Sequence, residues 1–184
     1  MPEPFRIIVS GEGGQGVLSI AKIIATAAWT QGKKSTYMPY FTTEKQGGVS
    51  IGFAQVSDAA IPFPKFAQAD MAVALSQRAL LRLVPYLHEQ TVVVTNSFLV
   101  KDTSVAGGRK VLAVDATTIA REQLKKPRTF NMVIMGAMLR SIPGMSPDGF
   151  GKALEKSFGS KYVRDPALKE LNEKAFRLGY DLTA

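Results

Sequence analysis

A short β-rich run, Phe5 to Ser10, stops at a glycine-rich turn, Gly11-Glu12-Gly13-Gly14-Gln15-Gly16, and that turn opens a long helical pattern from Val17 to Thr30. Glycine alone reaches positive φ without strain and lets backbone approach backbone, so strand, tight turn and helix must pack on one another as a unit. On the helix Ser19, Lys22 and Thr26 fall at i, i+3 and i+7 and form the only polar stripe. Val17, Ile20, Ala21, Ile23, Ile24, Ala27 and Ala28 fill most of the remaining surface. A stripe so narrow predicts a helix covered on two sides, by its own sheet and by something else.

The pattern continues as alternating strand and helix. Ser35 to Phe41, Val49 to Ser57, Met71 to Leu75, Thr91 to Thr95 and Val111 to Val114 read as strands. Gln77 to Leu87 and Thr117 to Leu124 read as short helices, and Asn131 to Leu139, Pro147 to Phe158 and Pro166 to Leu178 as longer ones, with Gly159 and Gly179 placed as helix stops. Strands that alternate with helices predict a three-layer α/β sandwich with a largely parallel sheet. Residues 1–184 read as one domain, with a helical C-terminal part from about residue 129.

Composition removes chemistry. The chain has no cysteine and one histidine, His88, so it offers no disulfide, no thiol nucleophile and no thiolate for zinc or an iron–sulfur cluster. His88, with no carboxylate partner evident along the chain, reads as a surface residue at a helix end. The apolar stretches are too short or too interrupted to cross a bilayer, and the acidic start carries no signal-peptide layout, which predicts a cytoplasmic protein. The formal net charge is +8, and Lys101, Arg109, Lys110, Arg121, Lys125, Lys126, Arg128 and Arg140 gather in the middle of the chain. They read as a solvated face, with an anion or nucleic-acid footprint as the alternative. No helix-turn-helix, zinc-finger or aromatic RNA-binding signature accompanies them.

Two glycine patterns point to sites. Gly11-x-Gly13-x-x-Gly16 follows a strand and opens a helix, where free N–H groups and the helix dipole favour a phosphate. The acidic residue that would hold a ribose hydroxyl at the end of the second strand is missing from Ser35 to Phe41. Gly16 is followed by Val17-Leu18 where a P-loop needs Lys and Ser or Thr. Glycines that serve only turn and packing remain an alternative. Gly48-Val49-Ser50-Ile51-Gly52 spells a nucleophile elbow but lies inside a strand pattern. Glu12 and Glu44, beside the glycine loops, form a minor acid/base candidate.

Taken together, Gly11-Glu12-Gly13-Gly14-Gln15-Gly16-Val17, then Pro39-Tyr40-x-x-x-Glu44-x-Gln46-Gly47-Gly48, Ala69-Asp70 and Asn131-Met132-Val133-x-Met135-Gly136 resemble the gamma subunit of the 2-oxoacid:ferredoxin oxidoreductases. The resemblance spans most of the chain. It implies a multi-subunit enzyme that decarboxylates a 2-oxoacid on thiamine diphosphate and magnesium, passes electrons through iron–sulfur clusters and transfers the acyl group to coenzyme A. Thiamine diphosphate, magnesium and the clusters would sit in partner subunits, and this chain alone would be inactive. The resemblance places Gly11, Gly13, Gly14, Gln15 and Gly16, then Glu44, Gly47 and Gly48, near coenzyme A. Gln46 stands where the family commonly has Arg, which removes a fixed charge and a bidentate anion donor. That departure fits an aryl 2-oxoacid or a different electron acceptor as well as a pyruvate, 2-oxoglutarate or branched-chain type.

From these readings we expect an obligate hetero-oligomer joined through the apolar first helix and through Asn131 to Leu139, where Gly136 would admit another helix closely. Two rivals stay open. One is a free-standing NAD(P)-dependent dehydrogenase in which Lys33 or Lys34 meets a 2′-phosphate, and the other is a basic anion- or nucleic-acid-binding module.

Overall fold

The chain was analysed as a computed structural model that describes residues 3–40 and 48–183. A six-stranded sheet is built from β1 (Phe5–Glu12), β2 (Lys34–Tyr40), β3 (Val49–Ser57), β4 (Ala69–Ala74), β5 (Leu87–Asn96) and β6 (Val111–Val114), in the order β2-β3-β1-β4-β5-β6. Pairings β1/β4, β4/β5 and β5/β6 are parallel, whereas β1/β3 and β2/β3 are antiparallel, so β3 alone runs against the other five. The connection from Tyr40 to Val49 is too short for a crossover, which forces that reversal.

The helices are α1 (Val17–Thr30), α2 (Gln77–Leu83), a single turn α3 (Ala116–Thr118) that widens into a π turn at Ile119–Gln123, α4 (Phe130–Leu139), α5 (Pro147–Arg164) and α6 (Pro166–Asp181). They are unevenly shared. Ile7 and Val9 of β1, Met71 and Val73 of β4 and Val94 of β5 face α1, α4, α5 and α6. Ile8, Ala72 and Val93 face the other way, where α2 contributes Leu80 and Leu83 and loop residues complete the cover. Among the described residues no helix is long and apolar enough to cross a membrane.

Local chemistry explains most boundaries. Gly32, at φ 80°, ends α1 after Gln31 N–H and Gly32 N–H close back on Ala28 and Trp29. Ser146 and Asp165 cap α5 and α6 through Gly149 N–H and Leu168 N–H, and each is followed by proline at the first helical position.

Several expectations are corrected. Gly159 does not stop α5, which runs on to Arg164, because the effective stop is the Asp165-Pro166 pair. Gly179 does not stop α6. It lies against the carbonyl of Val133, while Gly136 lies against the carbonyl of Phe176, so α4 and α6 cross with their backbones in contact. Gly136 therefore admits a helix of its own chain. Met132 to Leu139 are buried and α1 lies between the sheet and α5, so neither apolar helix is a free subunit surface. The sequence pattern registered the demand for burial, but this chain meets that demand itself.

His88 is also corrected, since it lies in β5 and has a carboxylate partner. Its Nε2 stands 3.7 Å from Asp70 Oδ1 on the neighbouring strand, and its carbonyl accepts from Arg109 Nε at 2.7 Å. The basic middle of the chain is partly turned to structural use. Arg109 also donates to the Ala106 carbonyl, Lys101 Nζ donates to the Ser97 carbonyl, and the Arg140 guanidinium lies 4.0 Å from the Tyr180 ring centroid.

Candidate functional site

The carboxyl ends of β1, β4, β5 and β6 define one edge of the sheet. After β1 the chain turns to one face and forms α1, and after the adjacent β4 it turns to the other face and forms α2. That divergence is a topological switch point, the place in an open α/β sheet where a crevice opens outside the strand ends.

The glycine turn lies on that crevice. Gly14 and Gly16 adopt φ of 85° and 80°, conformations that cost a side-chain-bearing residue about 1 kcal/mol or more. Gly11 is buried for a different reason, because a Cβ there would meet Gln15 Oε1 at 2.7 Å, Val17 Cγ2 at 2.8 Å and Leu75 Cβ at 3.0 Å. Gln15 bridges the two strand ends, its Oε1 accepting from Glu12 N–H at 2.7 Å and its Nε2 reaching the Leu75 carbonyl at 3.5 Å. Among the described residues Gly13 and Gly14 face open space, with nothing within 4 Å of the position a Cβ would take.

Gly16 caps α1 without a side-chain oxygen, and the first-turn carries no acid. The first N–H taken up is that of Ile20, by the Gly16 carbonyl at 2.9 Å. The donors of Val17, Leu18 and Ser19 thus stand at the positive end of a 14-residue helix, which suits an anion.

The register of β1 with β3 brings the second glycine segment alongside. Gly11 pairs with Ser50 and Glu12 with Val49, so Gly48 enters β3 beside the first turn. Glu44, Gln46 and Gly47 lie outside the described residues. Ser50 sits on a regular ladder and cannot be a nucleophile elbow, while Gly52 lets α1 approach, since a Cβ there would stand 2.8 Å from the Ala21 methyl.

Asn131, absent from the site residues chosen on sequence, is brought in by the fold. Its Nδ2 lies 2.8 Å from where a Gly16 Cβ would be, so the first turn of α4 places an amide on the mouth of α1. The signal was present in the Asn131-Met132-Val133 motif but carried no location. The buried side-chain atoms without a hydrogen-bond partner among the described residues, Ser10 Oγ, Thr95 Oγ1 and Asn96 Oδ1, also fall near the carboxyl ends of β1 and β5.

Other arrangements do not form. Lys33 and Lys34 precede or open β2 at the opposite edge of the sheet, with Lys33 Nζ ion-paired to Asp58 at 2.7 Å, so they cannot serve a 2′-phosphate at the glycine turn. Among the described residues no three His, Asp or Glu side chains gather to hold a metal ion. A cavity of about 520 Å³ lies between α5 and α6, bounded in part by Asp148, Glu155, Glu173 and Arg177 and by no residue of the glycine turn.

Comparison with known proteins agrees with this geometry. The model of the pyruvate ferredoxin/flavodoxin oxidoreductase family matches residues 6–182. Pyruvate synthase subunit PorC of Methanothermobacter thermautotrophicus is 31% identical over 175 residues, covering 93% of this chain and 91% of its own. The gamma subunit of keto/oxoacid ferredoxin oxidoreductase from Geobacter sulfurreducens superposes with a TM-score of 0.82 at 28% identity, over 97% of this chain and 98% of that one. The 2-oxoglutarate:ferredoxin oxidoreductase of Magnetococcus marinus, solved with 2-oxoglutarate, coenzyme A and succinyl-CoA bound, shares the fold. Its TM-score is 0.86 at 22% identity, over all of this chain and 31% of that one. With the switch-point loop, the uncapped helix and the matched length all in place, this chain belongs to the pyruvate ferredoxin/flavodoxin oxidoreductase family, as a gamma subunit of a multi-subunit 2-oxoacid:ferredoxin oxidoreductase.

Proposed function

We propose that this chain forms the coenzyme A side of the active site in a cytoplasmic 2-oxoacid oxidoreductase, acting as one domain over residues 1–184. The observation that carries the reading is the uncapped start of α1 beneath an open Gly13-Gly14 turn at the switch point. First-turn N–H groups would donate to a phosphate of coenzyme A, and Gly13 and Gly14 would let it lie against backbone. The Asn131 amide and Gly48 flank the same mouth. Glu44 and Gly47, in the segment that joins β2 to β3, complete the proposed contacts. Coenzyme A supplies the thiol that takes the acyl group, while thiamine diphosphate, magnesium and iron–sulfur clusters belong to partner subunits. A chain without cysteine offers no thiolate to a cluster.

The test separates binding from folding. A Gly13 side chain meets no atom of the described residues and the residue needs no positive φ, so Gly13→Val should leave the melting temperature within a degree or two. In the assembled enzyme the KM for coenzyme A should rise at least tenfold, equal to about 1.4 kcal/mol, with the KM for the 2-oxoacid unchanged. An unchanged KM for coenzyme A would remove the loop from the site.

The substrate is left to the partners. One same-fold enzyme was solved with 2-oxoglutarate and one relative is a pyruvate synthase subunit, so a panel of oxoacids tested on the complex names it.

A further inference from the structure

We propose that the α2 face is the surface on which this subunit docks against a neighbouring subunit of the complex, one that presents apolar side chains edged by carboxylates. The proposal rests on the chain being a subunit. It begins with the uneven layers: among the described residues α1, α4, α5 and α6 cover one face of the sheet, and the seven-residue α2 is the only α-helix in the core of the other.

On α2 the inward positions Ala79, Leu80 and Leu83 are fully buried, which leaves the opposite stripe for solvent. That stripe mixes charge with aliphatic carbon, since Arg78 and Arg82 are exposed on it beside Leu81. Gln77, Leu81 and Val84 follow at i, i+4 and i+7, with Leu81 53% and Val84 40% exposed. Gln77 fixes the next piece of surface beside them, its Oε1 accepting from Lys101 N–H at 2.9 Å and Asp102 N–H at 3.0 Å and its Nε2 donating to the Asp102 carbonyl at 2.7 Å. Leu99, two residues before Lys101, is 39% exposed.

Leu81 and Val84 thus stand exposed on a helix whose start is fixed, since Ser76 Oγ caps α2 by accepting from Ala79 N–H at 3.3 Å. Ordered apolar anchors of this kind lose little freedom on association and form the centre of an interface. Tyr40 and Phe63 extend the apolar character across the same face, where Lys65 lies over the Tyr40 ring. Lys65 and Lys101 give this face its cationic margin, which calls for carboxylates on the partner.

The experiment uses the full chain, affinity-tagged and co-expressed with the remaining subunits. Leu81→Asp combined with Leu99→Asp should lower recovery of the thiamine- and cluster-bearing subunits at least tenfold, while Val163→Asp, an exposed position on α5, should leave recovery unchanged. The double variant alone should melt within a few degrees of wild type, and in the wild-type complex the amides of residues 77–86 should exchange hydrogen more slowly than in the free chain. Full recovery with the double variant, equal loss with Val163→Asp, or loss of a self-dimer only would overturn the docking face. If the wild-type chain itself brings down no cofactor-bearing subunit, the reading of the complex falls with it.

Discussion

At the scale of single residues, some glycines of this chain serve its own packing while others, Gly13 among them, face open space among the described residues. Gly136 and Gly179 have no room for a methyl group, because the backbone of the opposing helix occupies the place. Either substituted by alanine should cost about 2–4 kcal/mol, read as a lower denaturant midpoint, and the pair should cost less than the sum since one separation of α4 and α6 relieves both clashes. Gly13→Val is their counterpart, neutral in the same assay. Tyr162 is a residue with pH consequences. Burial pushes its phenol up from the ordinary 10.0, with the hydrogen bond from Asn172 Nδ2 at 3.0 Å working against that shift. Tyr37, also partly buried, is raised in the same sense. A group raised in the folded state keeps its stabilising contribution below its unfolded value and loses it as pH climbs through the folded one. Melting temperature should therefore fall from about pH 10 upward, and Tyr162→Phe should fall less steeply there. At neutral pH the same variant should be less stable by about 1–3 kcal/mol, because Asn172 is left buried without its partner.

At the scale of elements, Gln31 shows how α1 is held to the helical half. Its Oε1 accepts from Ser146 N–H at 2.9 Å and Ser146 Oγ at 2.8 Å, and its Nε2 donates to the Ala27 carbonyl at 3.0 Å. Gln31→Ala strands the Ser146 donors at the start of α5, and hydrogen exchange should quicken in residues 146–152 before it does in the sheet. Elements bounded by local signals were legible in the sequence. The limits of α1, β3 and β6 follow from Gly16 and Gly32, from alternation, and from a short apolar run. Gly159 and Gly179 were misread because glycine tolerates a helix interior when something else, a later proline or a close neighbour, explains it. The strand, glycine turn and helix were legible as one unit. Asn131 was not, since its relation to Gly16 spans 115 residues of chain and exists only once α4 is seated.

At the scale of the whole molecule, one face of the sheet is finished by the chain itself and the other is lightly clad. That division decides what the isolated protein can do. Purified alone, it should be folded and colourless with no decarboxylase activity, and visible absorbance of clusters should enter only with partner subunits, as a spectrum of each fraction would show. Iron retained by the isolated chain after gel filtration would contradict this division of labour.

Gln15 adds a consequence of another kind. Because its amide already spans the gap from Glu12 to Leu75, the turn is braced from within before anything arrives. On the proposed reading a guest would enter a doorway that already stands without it, and the shape of the turn would not wait on loading.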